Sequence, residues 1–143
     1  MKQVDYVISS LRWSGEGIKE QLRRIELDLN KIISSKLGIY EEFIEISYLI
    51  KLSQNLFSEF YKRLFLSMHT TMSKLSLKKL FETYYVRSYF YIKKALNAFT
   101  SIKNKEDIHE SNMCRSTYTK IYKLTLLFDE LESKYKVLVN LAL

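Results

Sequence analysis

The sequence predicts an all-α protein, an antiparallel up-down four-helix bundle formed by a single domain over residues 1–143. Its 143 residues include no proline and three glycines, which leaves few of the turn residues that a sheet protein needs. Apolar residues recur at helical spacing through nearly the whole chain. Four long periodic segments joined by short connections require neighbouring helices to run antiparallel. The 47% hydrophobic content also argues against a disordered chain.

The first predicted helix carries a heptad repeat of apolar residues. The repeat places at its two core positions Val4, Leu11, Ile18, Ile25 and Ile32, and Ile8, Leu22 and Leu29. Gly15 occupies one of these core positions and Gly17 follows it, and a glycine in a helix interior costs about 1 kcal/mol. We therefore expect the helix to be kinked or split near Gly15–Gly17.

The second predicted helix extends from Ile39 to Met68, after a turn at Ser34–Gly38 in which Gly38 is the C-cap. Its buried face is expected to contain Ile39, Phe43, Ile46, Ile50, Phe57, Phe60 and Leu64. A break between Thr70 and Ser76 follows. It offers three candidate N-caps, Thr71, Ser73 and Ser76.

The third and fourth predicted helices are separated by a charged connection, Lys103–Asn112. The apolar stripe of the third helix is expected to contain Leu77, Phe81, Tyr84, Tyr91, Ala95, Phe99 and Ile102. The fourth helix should bury Tyr118, Ile121, Phe128, Tyr135 and Leu138. The tyrosines at 84 and 91 are thus interpreted as core residues.

The cysteine content and the hydropathy pattern favour a cytoplasmic protein. Cys114 is the one cysteine, so no intrachain disulfide can form. The stretch Leu64–Ser73 is free of charge for about ten residues, whereas a membrane-spanning helix needs about 20. Because Asp5 and Arg12 interrupt the first residues, we expect no targeting segment and no membrane partner.

The net charge of +7 is unevenly distributed along the chain. Residues 1–61 contain eight basic and nine acidic residues, and residues 62–143 contain fifteen and seven. Residues 62–105 alone contain ten basic residues against a single acid, Glu82. A basic segment of this kind favours an anionic partner.

A helical wheel of the third helix places four basic residues on the side away from the apolar stripe, Lys79, Arg87, Lys93 and Lys94. Phe90 and Val86 fall on the same side, and Lys74, Lys78 and Arg63 flank it. Basic residues interleaved with an exposed aromatic side chain favour nucleic acid, because the cations release phosphate counterions and the ring can stack on a base. The same pattern also fits a solvated face, an acidic groove on another protein, or self-association centred on Phe90.

Metal, cofactor and nucleophile chemistry find little support in the sequence. Glu106 and His109 form one Glu-x-x-His pair, whereas di-iron bundles need two such pairs and further glutamates. Three scattered glycines form no phosphate-binding loop. Cys114 is expected to be a small buried residue. We therefore predict no metal site and no cofactor.

Arg63 and His69 form an Arg-x5-His motif. This motif resembles the Arg-x4-6-His motif of the HEPN helical nucleases, in which these two residues cleave RNA across a dimer interface. The resemblance implies that Arg63 and His69 are candidate catalytic residues of a ribonuclease. The motif is short, and in HEPN proteins it follows an aromatic-rich helix similar to Arg87–Tyr91, whereas here it precedes that segment.

Three functions follow from these patterns, in order of preference. The first is a non-enzymatic accessory or structural subunit of a nucleoprotein assembly that contacts nucleic acid through the basic third helix. The second is a protein-interaction or oligomerisation module, which uses the heptad seam Val4–Ile32 or the patch around Phe90. The third is a HEPN-like ribonuclease.

Overall fold

A computed structural model describes residues 2–35, 40–66, 72–105 and 112–142. Helix α1 spans Lys2–Ser34, α2 spans Tyr40–Leu66, and α5 spans Asn112–Leu141. Between α2 and α5 lie α3 (Lys74–Leu80), a π-helical turn (Phe81–Tyr85) and α4 (Val86–Lys105), which follow one another without a gap and are here called the third rod. The four-helix bundle predicted from the sequence is confirmed.

The helices are arranged so that chain neighbours are also neighbours in space. α1 packs against α2 and α5, and α4 packs against the same two helices, whereas α1 and α4 lie diagonally, without contact between their described residues. The early part of α1 meets the late part of α5, where Lys134 Nζ donates to Ser14 Oγ at 2.6 Å, and the late part of α1 meets the early part of α5. This pairing is antiparallel. In the part of the chain that the structure describes, no helix combines the length and apolar character needed to cross a membrane.

The heptad seam of α1 faces the core of its own chain. Six of its residues are at most 1% exposed, namely Leu11, Ile18, Leu22, Ile25, Leu29 and Ile32. Val4 and Ile8, at the beginning of the helix, are half-buried. The seam is thus covered by α2 and α5, and the outer side of α1 is the part left open to another molecule.

The split expected at Gly15–Gly17 is wrong, because α1 continues unbroken through both glycines. A Cβ on Gly15 would stand 2.5 Å from Cε2 of the Tyr61 ring, so the glycine allows α2 to approach α1 closely. The Tyr61 hydroxyl donates to Glu16 Oε1 at 2.7 Å and holds the ring in place. Gly15 is therefore required by side-chain packing between helices and does not mark a turn.

The helix boundaries lie near the predicted ones where the chain is described, but α4 continues through Lys103–Lys105, which were predicted to belong to the connection Lys103–Asn112. Ser73 is the N-cap of α3, with an extended backbone (φ −71°, ψ 158°), and its Oγ accepts the Ser76 N–H at 3.1 Å. Ser76 thus lies within the first turn of the helix. The predicted turn residue Gly38, the end residues Ile39 and Met68, and the alternative cap Thr71 lie outside the described residues.

The apolar stripe of the third rod differs from the predicted one. Leu77, Ala95, Phe99 and Ile102 are buried as expected, but Tyr84 and Tyr91 are half-buried. Their neighbours Tyr85 and Ile92 are fully buried instead. The π-helical turn explains this difference, because its wider turn contains one residue more than an α-helical turn and shifts the stripe along the sequence.

An aromatic cluster surrounds the π-helical turn and joins the third rod to α5. The Phe81 ring stacks on Tyr85 at 4.6 Å and on Tyr135 at 5.0 Å between centroids. The Tyr135 hydroxyl donates to the Leu77 carbonyl oxygen at 2.5 Å, and the Tyr85 hydroxyl donates to the Phe128 carbonyl oxygen. Burial raises the pKa of both phenols, so both remain protonated donors. As predicted, Ile121, Phe128, Tyr135 and Leu138 are buried on α5, whereas Tyr118, which was also predicted to be buried, is half-buried.

Candidate nucleic-acid interface

The third rod is held against both of its neighbours, which determines the side that faces outward. Against α2, Ser88 Oγ donates to the Ser53 carbonyl oxygen at 2.8 Å, and the two hydroxyl oxygens are 2.9 Å apart. Against α5, the Tyr89 hydroxyl donates to Asp129 Oδ1 at 2.7 Å, which together with burial raises the pKa of Tyr89. Both serines are fully buried. The side of the third rod opposite Ser88 and Tyr89 is therefore turned away from the bundle.

The outward side of the third rod contains the residues predicted from the helical wheel, here called the basic face. The basic face consists of Lys78, Lys79, Arg87, Phe90, Lys93 and Lys94, all of them exposed. The Phe90 side chain is 57% exposed, and Val86, one turn earlier, is also exposed. Lys74 is half-buried at the beginning of α3, and Arg63 is exposed on α2. The predicted exposure of Phe90 is confirmed.

Aromatic rings support the cations of the basic face. Lys93 Nζ lies 4.2 Å from the centroid of the Tyr89 ring, and Lys94 Nζ lies 5.8 Å from the centroid of the Phe90 ring. The Phe90 ring itself contacts Tyr91 edge-on at 5.6 Å. These rings restrict the orientation of the lysine side chains but do not neutralise their charge. The cations therefore remain available to an anion.

The bases of the basic face lack carboxylate partners in the described part of the chain. Among the described residues, none of its lysines, nor Arg87, forms an ion pair with an aspartate or glutamate. Glu82, the acid of this segment, is exposed on the same rod without such a pair. The positive potential of the face is therefore not cancelled by neighbouring side chains.

The third rod carries the predicted bases except Arg63, which lies on α2, and the bases of α3 are distributed along both edges of the rod. Lys79 and Arg63 line an open groove of about 640 Å³ between α2 and α3, together with Tyr84. Lys78 lies on the opposite edge, in a groove of about 300 Å³ that includes Lys136 of α5. Phe90 lines neither groove.

The candidate ribonuclease pair is described only at its arginine. Arg63 Nε donates to Glu59 Oε1 at 2.7 Å, which raises the pKa of the guanidinium group. Its guanidinium carbon lies 5.0 Å from the centroid of the Tyr84 ring. His69 lies outside the described residues. The contacts of Arg63 are those of a helix-surface ion pair next to an aromatic ring.

The two remaining chemical candidates are a metal site and the thiol of Cys114. No group of three histidine, cysteine, aspartate or glutamate residues in the described ranges could hold a metal ion, and Glu106 and His109 lie outside those ranges. Cys114 is 3% exposed, which confirms the prediction that it is buried.

Two features of the site were missed from the sequence. Tyr84 lines the groove beside Lys79, although its spacing predicted a core residue. Lys136 lies near Lys78, although it belongs to another helix. No local pattern identifies either contact, because one depends on the π-helical turn and the other on how α5 packs.

Comparisons of the chain with protein-family models, with curated proteins and with solved structures find no match. A functional assignment must therefore come from the geometry of the chain itself.

Proposed function

We propose that this chain binds nucleic acid through the basic face, as a non-enzymatic accessory or structural subunit of a nucleoprotein assembly. The observation that carries the proposal is the set of exposed bases on the third rod that form no ion pair with a carboxylate among the described residues, together with the exposed ring of Phe90. A polyanion would provide the negative charges that the described part of the chain does not place beside these bases. Binding would release condensed counterions and gain free energy from their entropy.

Recognition by this face should depend weakly on sequence. Lysine contacts phosphate as a point charge and does not read the pattern of base edges. Phe90 can stack on an unpaired base of any type, since every base has a π face. Lys79, Arg87, Lys93 and Lys94 would contact phosphates, with Lys74, Lys78 and Arg63 at the periphery.

A salt titration with single-stranded and duplex oligonucleotides of mixed sequence tests the proposal. We expect binding at about 50 mM salt, with an affinity that falls by at least tenfold when the salt is raised to about 200 mM. The absence of binding at the lower salt concentration would refute the proposal, as would an affinity that does not change with salt.

A protein partner at the Phe90 patch is the second candidate, because Phe90 and Val86 form an exposed apolar pair on α4. In that case Phe90→Asp would abolish an oligomer or complex, and no nucleic acid would bind at any salt concentration. A HEPN-like ribonuclease is the third candidate. An RNA-cleavage assay that compares the native chain with His69→Ala tests it.

A further inference from the structure

The outer side of α1 exposes two aromatic side chains that no other part of the described chain covers. Trp13 is 76% exposed and Tyr6, two helical turns earlier, is 77% exposed. Trp13 is the single tryptophan of the sequence. Lys134 of α5 borders it, with Nζ 5.7 Å from the centroid of the indole ring. Tryptophan and tyrosine are enriched where proteins bind one another, because their rings supply a large contact area.

Gly17 lies one turn after Trp13 on the same side of α1. It is exposed, and a Cβ built on it would meet nothing within 4 Å. Glycine is, after proline, the residue least favourable to a helix interior, and no contact with the described residues of the chain explains its presence here. Gly15 differs in this respect, because the Tyr61 ring occupies the space of its missing side chain.

We propose that two copies of this chain associate through α1, with Trp13 of each copy packed on Gly17 of the other. The two residues are four positions apart on one face, so a twofold axis that passes beside Gly15 and relates two antiparallel α1 helices brings each indole onto the opposite glycine. Such an interface is self-complementary, as a symmetric dimer requires. The absent side chain at Gly17 provides the space that the indole ring needs.

The charges on the outer side of α1 and on the neighbouring part of α5 also fit a second copy of the chain. The same twofold axis places Arg24 beside Tyr6 of the second copy, where a cation can lie against an aromatic ring. Lys134 and Glu130 lie one turn apart on α5, at 3.3 Å from each other. The twofold axis places Lys134 of one copy at the height of Glu130 of the other, so each Lys134 side chain also approaches Glu130 of the second copy. Opposite charges therefore meet across the axis, which favours a second copy over a partner of uniform charge.

This dimer is independent of the proposed function. Because α1 and α4 lie on diagonal corners of the bundle, pairing through α1 leaves the basic face of both copies open. A loss of dimerisation should therefore leave the affinity of each chain for a short oligonucleotide unchanged.

Sedimentation velocity of the native chain and of Gly17→Gln tests the dimer. Glutamine is a better helix former than glycine, and a Cβ at this position meets no described atom of its own chain, so at concentrations where both proteins are monomeric the variant should unfold at a higher temperature than the native chain. In the dimer, its side chain would occupy the place of the indole ring. We expect its dimer dissociation constant to rise at least tenfold, and that of Trp13→Ala to rise similarly, while the control Tyr48→Ala, an exposed aromatic on α2, leaves the constant unchanged.

The fluorescence of Trp13 provides the second measurement. As the single tryptophan, it should shift its emission to shorter wavelength as the concentration rises and the dimer forms. A native chain that stays monomeric up to about 200 μM would overturn the proposal. A dimer that Gly17→Gln does not weaken, or that forms without a shift in the emission of Trp13, would overturn it as well.

Discussion

The outer side of α1 and the basic face of the third rod both carry many charges, but among the described residues the bases next to Glu16 and Glu20 on α1 are paired, whereas those of the basic face are not. On α1, Glu20 accepts hydrogen bonds from Arg23 at 2.6 Å and Arg24 at 3.1 Å, and Lys19 lies 3.8 Å from Glu16. On the basic face, the lysines and Arg87 have no such partners among the described residues.

The difference comes from the placement of acids along the two helices. On α1 an acid lies three or four residues before each of these bases, which is the spacing that brings opposite charges together on a helix. On the third rod, Glu82 is the single acid among residues 72–102. A face whose charges are paired needs no charge from a partner, whereas an unpaired face gains free energy when a polyanion provides the missing charge.

Reversing three charges of the basic face should produce the largest effect. The triple variant Lys79→Glu, Arg87→Glu and Lys94→Glu places acids where phosphates are expected to lie. We expect the affinity for a single-stranded oligonucleotide at low salt to fall by about 1,000-fold or more, measured by fluorescence anisotropy. Helical content should stay unchanged by circular dichroism, because all three side chains are exposed. A loss smaller than threefold would show that the phosphates bind elsewhere.

Removing the Phe90 ring should have a smaller effect that is specific for single strands. For Phe90→Ala we expect a loss of about 1–3 kcal/mol in binding single strands, the usual contribution of one stacked base. The free energy of unfolding should change by less than about 0.5 kcal/mol, since the ring is largely exposed. Leu126→Ala, which removes an exposed apolar side chain from α5, is the matched control for both measurements. Equal losses of affinity in the two variants would contradict a stacking role.

Alanine substitutions at Gly15 and Gly17 test which glycine of α1 is required by packing within the chain. Gly15→Ala should lower the free energy of unfolding by about 1–3 kcal/mol, because its Cβ collides with the Tyr61 ring. At concentrations where the chain is monomeric, Gly17→Ala should instead raise it by about 0.5–1 kcal/mol, because within the chain the added methyl group contributes only helix propensity. Denaturation in urea measures both changes. The sign of each change is the prediction, and the same sign in both variants would contradict it.

The pKa of Tyr61 provides a second measurement on the Gly15→Ala variant. Burial and the bond to Glu16 raise this pKa from 10.0 to about 12. Because the folded state holds this proton more tightly than the unfolded state, the stabilisation is complete below pH 10 and is lost as the pH rises towards 12. In Gly15→Ala the ring is displaced, and absorbance titration should show its pKa moving back towards the ordinary value.

The carboxyl group of Glu20 should show the smallest effect. Hydrogen bonds from Arg23 and Arg24 lower its pKa from 4.5 to about 2. Its contribution to stability is therefore present above pH 4.5 and is lost as the pH falls towards 2. An NMR titration should show Glu20 ionised at pH 3, and the double variant Arg23→Gln, Arg24→Gln should return its pKa to the ordinary range. An ordinary pKa in the native chain would mean that the α1 charges are not paired in solution.

The sequence predicted the features that depend on spacing along one helix. The buried seam of α1 and the outward position of Phe90 follow from helical periodicity, and both agree with the structure. The features that depend on another helix could not be predicted in this way. Gly15 appeared to be a helix breaker because its reason lies in Tyr61 of α2. Tyr84 appeared to be a core residue because the periodic pattern does not reveal the π-helical turn.

Two double variants with the same change in net charge test the central claim most directly. Arg87→Gln with Lys94→Gln removes two unpaired bases from the basic face, and Arg23→Gln with Arg24→Gln removes two paired bases from α1. The measurement is the slope of the logarithm of the oligonucleotide affinity against the logarithm of the salt concentration. We expect the first variant to lose about two units of slope, roughly one for each phosphate contact, and the second to keep the native slope and affinity. Equal changes in both variants would show that binding follows net charge alone and that the basic face is not the site.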